Sequence, residues 1–150
     1  MNKNLSLYLR ALIKIGNDLG TEVIATKIQK IFFLLQEEGG KDLGLKFKPW
    51  LFGPYSEELN SLLDELIETG KIEENARPIV DPFTDLAIGY HRTYTVKDVD
   101  LSSIEPKVIE FFKEWVVKDR KEILTYVFMK YPKYADYKTI RDSVFGGSSE

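Results

Sequence analysis

The chain has 150 residues, with 21 Lys and Arg against 24 Asp and Glu, a formal net charge of −3 with its single histidine neutral. At 43% hydrophobic and 30% charged it can build one substantial core, which excludes whole-chain disorder. Zero cysteines exclude a disulfide scaffold, thiolate metal sites and thiol nucleophiles, and one histidine excludes a multi-histidine metal centre.

Asn4 or Ser6 can cap a first helix running to about Ile15, before Gly16-Asn17. Leu5, Leu7, Leu9, Leu12, Ile13 and Ile15 surround that helix almost completely, so it is either buried or paired with a second copy of the chain. The opening MNKNLSLYLR has no signal-peptide apolar stretch, and no run approaches the ~20 apolar residues of a membrane span. The expectation is a cytoplasmic protein. A second helix begins at a capping box, Thr26-Lys27-Ile28-Gln29, with Thr21 as the rival start, and ends at Gly39-Gly40. Ile24, Ile28, Ile31, Phe32 and Leu35 form its apolar stripe; Lys27 and Lys30 lie off it and are expected to be solvated.

Leu45 to Phe52 then alternates before becoming continuously apolar, and Pro49 restricts it to an edge strand or extended segment. The turn Gly53-Pro54-Tyr55 leads to Ser56, which caps a third helix whose first residues Glu57 and Glu58 suit its positive end. Leu59, Leu62, Leu63, Leu66 and Ile67 keep helical spacing, and Gly70 follows as the C-terminal stop. From Leu86 to Val96 the period becomes two, with Leu86, Ile88, Tyr90, Tyr94 and Val96 on one face, the pattern of a half-buried strand. Its expected partner is the short stretch 71–73, with residues 75–85 as a long tip rich in turn formers.

Ser103 is expected to cap a helix with Pro106 in its first turn and Val108, Phe111, Phe112 and Trp115 on its apolar face. Asp119-Arg120-Lys121-Glu122 opens another helix that Pro132 ends, and a final helix spans about Tyr134 to Val144. The resulting fold class is α+β, mainly helical. Its organisation is a single winged-helix-like domain over 1–145, comprising a core at 1–100 with a small antiparallel sheet and a packed helical extension at 101–145. Residues 146–150 are read as a disordered tail. Helix, helix, short strand, helix and hairpin is the element order of a winged helix, in which the short strand pairs with the hairpin and the hairpin tip forms the wing.

Charge is unevenly distributed. Residues 1–48 carry eight basic and five acidic side chains, whereas 49–76 carry one basic and seven acidic. The third helix, where a winged helix places its groove-reading element, presents Glu57, Glu58, Asp64, Glu65 and Glu68 and no Lys or Arg. Such a face is repelled by phosphates, so DNA docking through this helix is disfavoured. The candidate nucleic-acid-binding residues are therefore Lys27, Lys30, Arg77 and Arg92, with Lys46 and Lys48 nearby; the commoner reading of such lysines is ordinary solvated surface. The run Phe47, Trp50, Phe52 and Tyr55 could stack bases, but Trp50, Gly53, Pro54, Tyr55 and Ser56 read better as a structural corner. His91 stands alone, and no phosphate-binding, dinucleotide-binding or nucleophile motif occurs. The chain is thus read as non-enzymatic, with no catalytic residue, cofactor or metal.

Lys27-Ile28-Gln29-Lys30-Ile31-Phe32-Phe33-Leu34-Leu35, then Phe47 through Leu59, and Glu122 through Phe128 with Lys130-Tyr131-Pro132, resemble the YwgA-like family of bacterial and archaeal proteins over about residues 5–140. More distantly, the pattern is similar to Panacea/SocA-like antitoxin and phage-associated domains, with Ile28 in place of the usual leucine. The resemblance implies a winged-helix-like fold and a role in regulation or defence. The expected function is a regulatory or protein-interaction module with a protein partner; the alternative is a DNA-binding transcriptional regulator using a local basic patch. A homodimer is expected through the first helix or the aromatic C-terminal helices.

Overall fold

A computed structural model describes residues 3–50 and 52–134; the expected last helix beyond Tyr134 and the tail lie outside them. The described chain is mainly helical: α1 (Lys3–Asp18), α2 (Ala25–Glu37), α3 (Glu57–Glu68), α4 (Pro106–Val116) and α5 (Arg120–Lys130), with one antiparallel hairpin of β1 (Glu73–Val80) and β2 (Ala87–Thr95). No helix among the described residues is long and apolar enough to cross a membrane.

α2 sits at the centre. Its residues Lys27 through Leu35 are all buried, because α4 and α5 pack on it while the segment 53–56 covers the remaining side. The single apolar stripe therefore understates how enclosed this helix is. Phe32 meets Phe112 of α4 at 5.7 Å, and Phe33 makes edge-to-face contacts with Phe47, Tyr131 and Tyr134 at 5.3, 5.1 and 4.8 Å. Aromatic edge-to-face contacts at such separations add to the area they bury. The over-apolar α1 is likewise consumed within the chain: Leu5, Tyr8, Leu9, Ala11, Leu12, Ile13 and Ile15 are buried, and the helix packs on α3, α4 and β2. The reason for expecting a dimer through α1 thereby falls away.

Helix ends follow the capping chemistry in two cases. Ser56 Oγ accepts from Leu59 N–H at 3.2 Å, and Asp119 Oδ1 accepts from Glu122 N–H at 2.8 Å. Two others differ. α2 begins at Ala25 after Ile24, with no side-chain cap, because Gln29 is engaged elsewhere. Ser103 ends a short 3-10 turn capped by Asp100, and α4 starts with Pro106 after Glu105.

The sheet also departs from expectation. Residues 45–50 and Phe52 do not join it; Lys48 instead bridges Tyr55 across the Gly53 turn, with backbone bonds of 3.0 and 2.9 Å. The sheet has two strands, and β1 extends through Val80, so the tip is confined to 81–86. Pro78 sits within β1 opposite Tyr90, tolerated because β1 has a free edge. Only Tyr94 of β2 is buried, so the alternation marks a strand whose base alone meets the core.

Three side-chain amides tie irregular backbone to helices. Gln29 donates to Ser56 O at 3.0 Å and accepts from Ser56 N–H at 2.8 Å. Gln36 does the same to Leu45, at 2.9 and 3.0 Å. Asn17 donates to Tyr94 O and accepts from Val96 N–H, both at 3.1 Å, which anchors the hairpin base to α1. Each carboxamide offers the donor and acceptor that a neighbouring strand would provide.

Candidate interaction surface

The four cations expected to contact nucleic acid do not share a surface. Lys27 is buried, its ammonium donating to Val116 O at 3.0 Å and to Thr21 Oγ1 and Glu22 O, both at 3.3 Å. Burial lowers its pKa, opposed by Asp119 and Glu22. Lys30 is only 2% exposed and donates to Pro54 O at 3.0 Å; desolvation pulls its pKa down to about 7. Both lysines were expected to be solvated; the backbone carbonyls that receive them come from segments far along the chain, which a helical wheel does not display.

Arg77 and Arg92 are exposed on the hairpin but on opposite faces. Arg77 lies opposite His91, whereas Arg92 lies opposite Ala76, one register step away. Arg92 also sits 3.9 Å from Glu74 and 5.6 Å from the Tyr90 ring centre. His91 pairs with Glu22 at 3.0 Å. Of the further lysines, Lys46 is exposed and Lys48 is paired with Glu57 at 2.8 Å while lying over Trp50. The five carboxylates of α3 are exposed as expected.

Trp50 and residues 52–56 form the expected corner. Gly53 adopts φ +91° and donates to Trp50 O at 3.1 Å; a Cβ there would meet Lys30 Cε at 3.1 Å and Phe128 Cε1 at 3.3 Å. Trp50 and Tyr55 rings lie 5.8 Å apart. Gln29 and Lys30 of one sequence word thus hold Ser56 and Pro54 of the other. The two words are one structural latch.

A second latch closes the other end of α2. Tyr126 and Tyr131 hydroxyls donate to the Glu38 carboxylate at 2.9 and 2.5 Å, and Lys130 pairs with it at 2.9 Å. Desolvation alone would raise the Glu38 pKa, but these donors, Tyr131 foremost, outweigh it and hold the carboxyl below its usual range. Three residues further on, Lys41 binds Glu105 together with Tyr8, the latter at 2.8 Å, and the two pull that carboxyl down to about 2.

What remains unabsorbed is the outer half of the hairpin. Ile79, Val80, Phe83, Leu86, Ile88 and Tyr90 are exposed, Phe83 at 95% and Ile88 at 68%. A register shift at Ile79/Val80 accompanies this apolar end, and Asp85 takes φ 62° in the turn. Asp81 shapes the tip by accepting from Phe83 N–H at 2.8 Å. Isolated exposed apolar residues are ordinary, but six within twelve consecutive positions concentrate at the outer end of the hairpin, with Ile88 and Tyr90 on one face and Ile79 on the other. Sequence alternation places Leu86, Ile88 and Tyr90 on one face of a half-buried strand; their exposure emerges only once the strand is seen to extend past the core.

No protein-family model matches this sequence, and no curated protein matches it. Among the described residues no cluster of three His, Cys, Asp or Glu side chains could hold a metal ion.

Proposed function

We propose that this chain is a non-enzymatic, winged-helix-like regulatory module that works by protein contact, with the β1–β2 hairpin as its wing. The observation that carries this reading is the exposed apolar tip. Burying apolar area is the main favourable term in protein association, at roughly 25 cal/mol per Å², so such a projection favours an apolar protein groove over water. The acidic face of α3 and the scattering of Lys27, Lys30, Arg77 and Arg92 support protein rather than duplex DNA as the partner. The YwgA-like resemblance is consistent with an antitoxin-like or phage-associated accessory role.

The test is affinity capture from cells of the source organism with the wild-type chain and with Phe83→Ser/Leu86→Ser/Ile88→Thr. A stoichiometric partner retained by the wild type and lost by the variant is expected. Equal recovery with both, or no partner with either, contradicts the reading.

A further inference from the structure

α1 carries one charge between Lys3 and Lys14, and it is Arg10, flanked by the fully buried Leu9, Ala11, Leu12 and Ile13. Its Nε is buried and has no hydrogen-bond partner. A guanidinium atom withdrawn from water without an acceptor is costly, and such orphans are rare in folded proteins. Arg10 lines a depression of about 450 Å³ between the end of α3 and the base of the hairpin. Lys71 and Lys97 line it too, as do Glu73 and Asp98.

None of these three cations forms an ion pair among the described residues, although eight ion pairs occur elsewhere. Glu73 and Asp98 make no ion pair with them, and the lining carries three cations against two carboxylates. Three donors from three separate stretches of chain thus converge on one cavity of a size suited to a small ligand. Guanidinium and ammonium groups together match the oxygens of a phosphoryl or carboxylate group, the guanidinium being able to bind two of them at once.

We infer that this depression is a binding site for a small oxyanion ligand, with Arg10 as the anchor at its floor and Lys71 and Lys97 closing over the bound oxygens. It lies at the base of the hairpin, so it is separate from the apolar tip and independent of the protein-contact reading.

The experiment is a ¹H–¹⁵N NMR titration of the full chain with inorganic phosphate, and separately with acetate, at constant ionic strength set by sodium chloride. Saturable shifts at millimolar concentration are expected at the Arg10 Nε–Hε resonance and at the amides of Gly70, Thr95 and Lys97. Saturation with phosphate alone assigns a phosphoryl ligand; saturation with acetate as well assigns oxyanions generally. Lys71→Gln/Lys97→Gln, which alters only exposed side chains, should weaken binding by at least about tenfold. Arg10→Met should abolish it, and if that variant does not fold, the double lysine variant decides. Non-saturating shifts, or saturable shifts unchanged in the double variant, would overturn the assignment.

Discussion

The Gln29 carboxamide grips both backbone groups of Ser56, donating to its carbonyl at 3.0 Å and accepting from its N–H at 2.8 Å. Ser56 is itself fully buried and caps α3, so one α2 side chain fixes where α3 begins. Replacing Gln29 with Met leaves the Ser56 N–H unpaired, at about 1–3 kcal/mol, while Ser56 O keeps the Asn60 N–H at 3.2 Å. Urea unfolding should show a lower midpoint at unchanged slope, and an unchanged midpoint would show that the grip contributes nothing net.

The adjacent turn offers a steric counterpart. Gly53→Ala would force an L side chain into φ +91° and bring its Cβ to 3.1 Å from Lys30 Cε. A loss of about 1–3 kcal/mol is expected, read as a fall in Tm, whereas Gly44→Ala, whose Cβ would meet nothing within 4 Å, should lose less.

Lys30 makes stability depend on pH in a stated direction. Its folded pKa of about 7 lies below the ordinary lysine value of 10.5, so below pH 7 both states carry the proton and the native state bears the full cost of burying a charge. Between about 7 and 10.5 the unfolded chain binds the extra proton, and stability rises with pH by up to about 1.4 kcal/mol per unit. The wild type should therefore gain on Lys30→Met as pH rises from 7 to 10 in paired denaturation series. Parallel profiles would count against a buried, titrating Lys30.

Glu105 acts in the opposite pH range. Its pKa is depressed from 4.5 to about 2, chiefly by Lys41 and then Tyr8, so its contribution is present above about 4.5 and lost as pH falls toward 2. Glu105→Gln should lower stability at neutral pH, with the gap from wild type closing across that window. The effect should be modest, because the carboxylate is partly exposed and screened.

Local chemistry made much of the fold legible: Ser56 and Asp119 as caps, Pro106 opening α4, Pro132 closing α5, and the leucine ladder of α3. What was not legible depended on partners distant in sequence. Lys27 and Lys30 look solvated on a helical wheel because the wheel omits Val116 and Pro54, whose carbonyls receive them. Gln29 looked like half of a capping box, yet its amide reaches Ser56 across 27 positions. The candidate surface was hidden for a related reason: alternation at Leu86, Ile88 and Tyr90 signals a strand but not how far that strand projects beyond the core.

The hairpin tip should be separable from stability. Phe83→Ser removes a ring that is 95% exposed, so the change in unfolding free energy should stay within about 0.5 kcal/mol. A larger loss, measured by urea unfolding, would show that the ring packs within the chain.

The most direct measurement is photo-crosslinking in cells from an unnatural amino acid placed at position 83, with position 61 on the exposed face of α3 as the control. The account predicts one predominant protein adduct from position 83 and none of comparable yield from position 61. Equal labelling from both positions, or no adduct from position 83, would contradict a hairpin that works by protein contact.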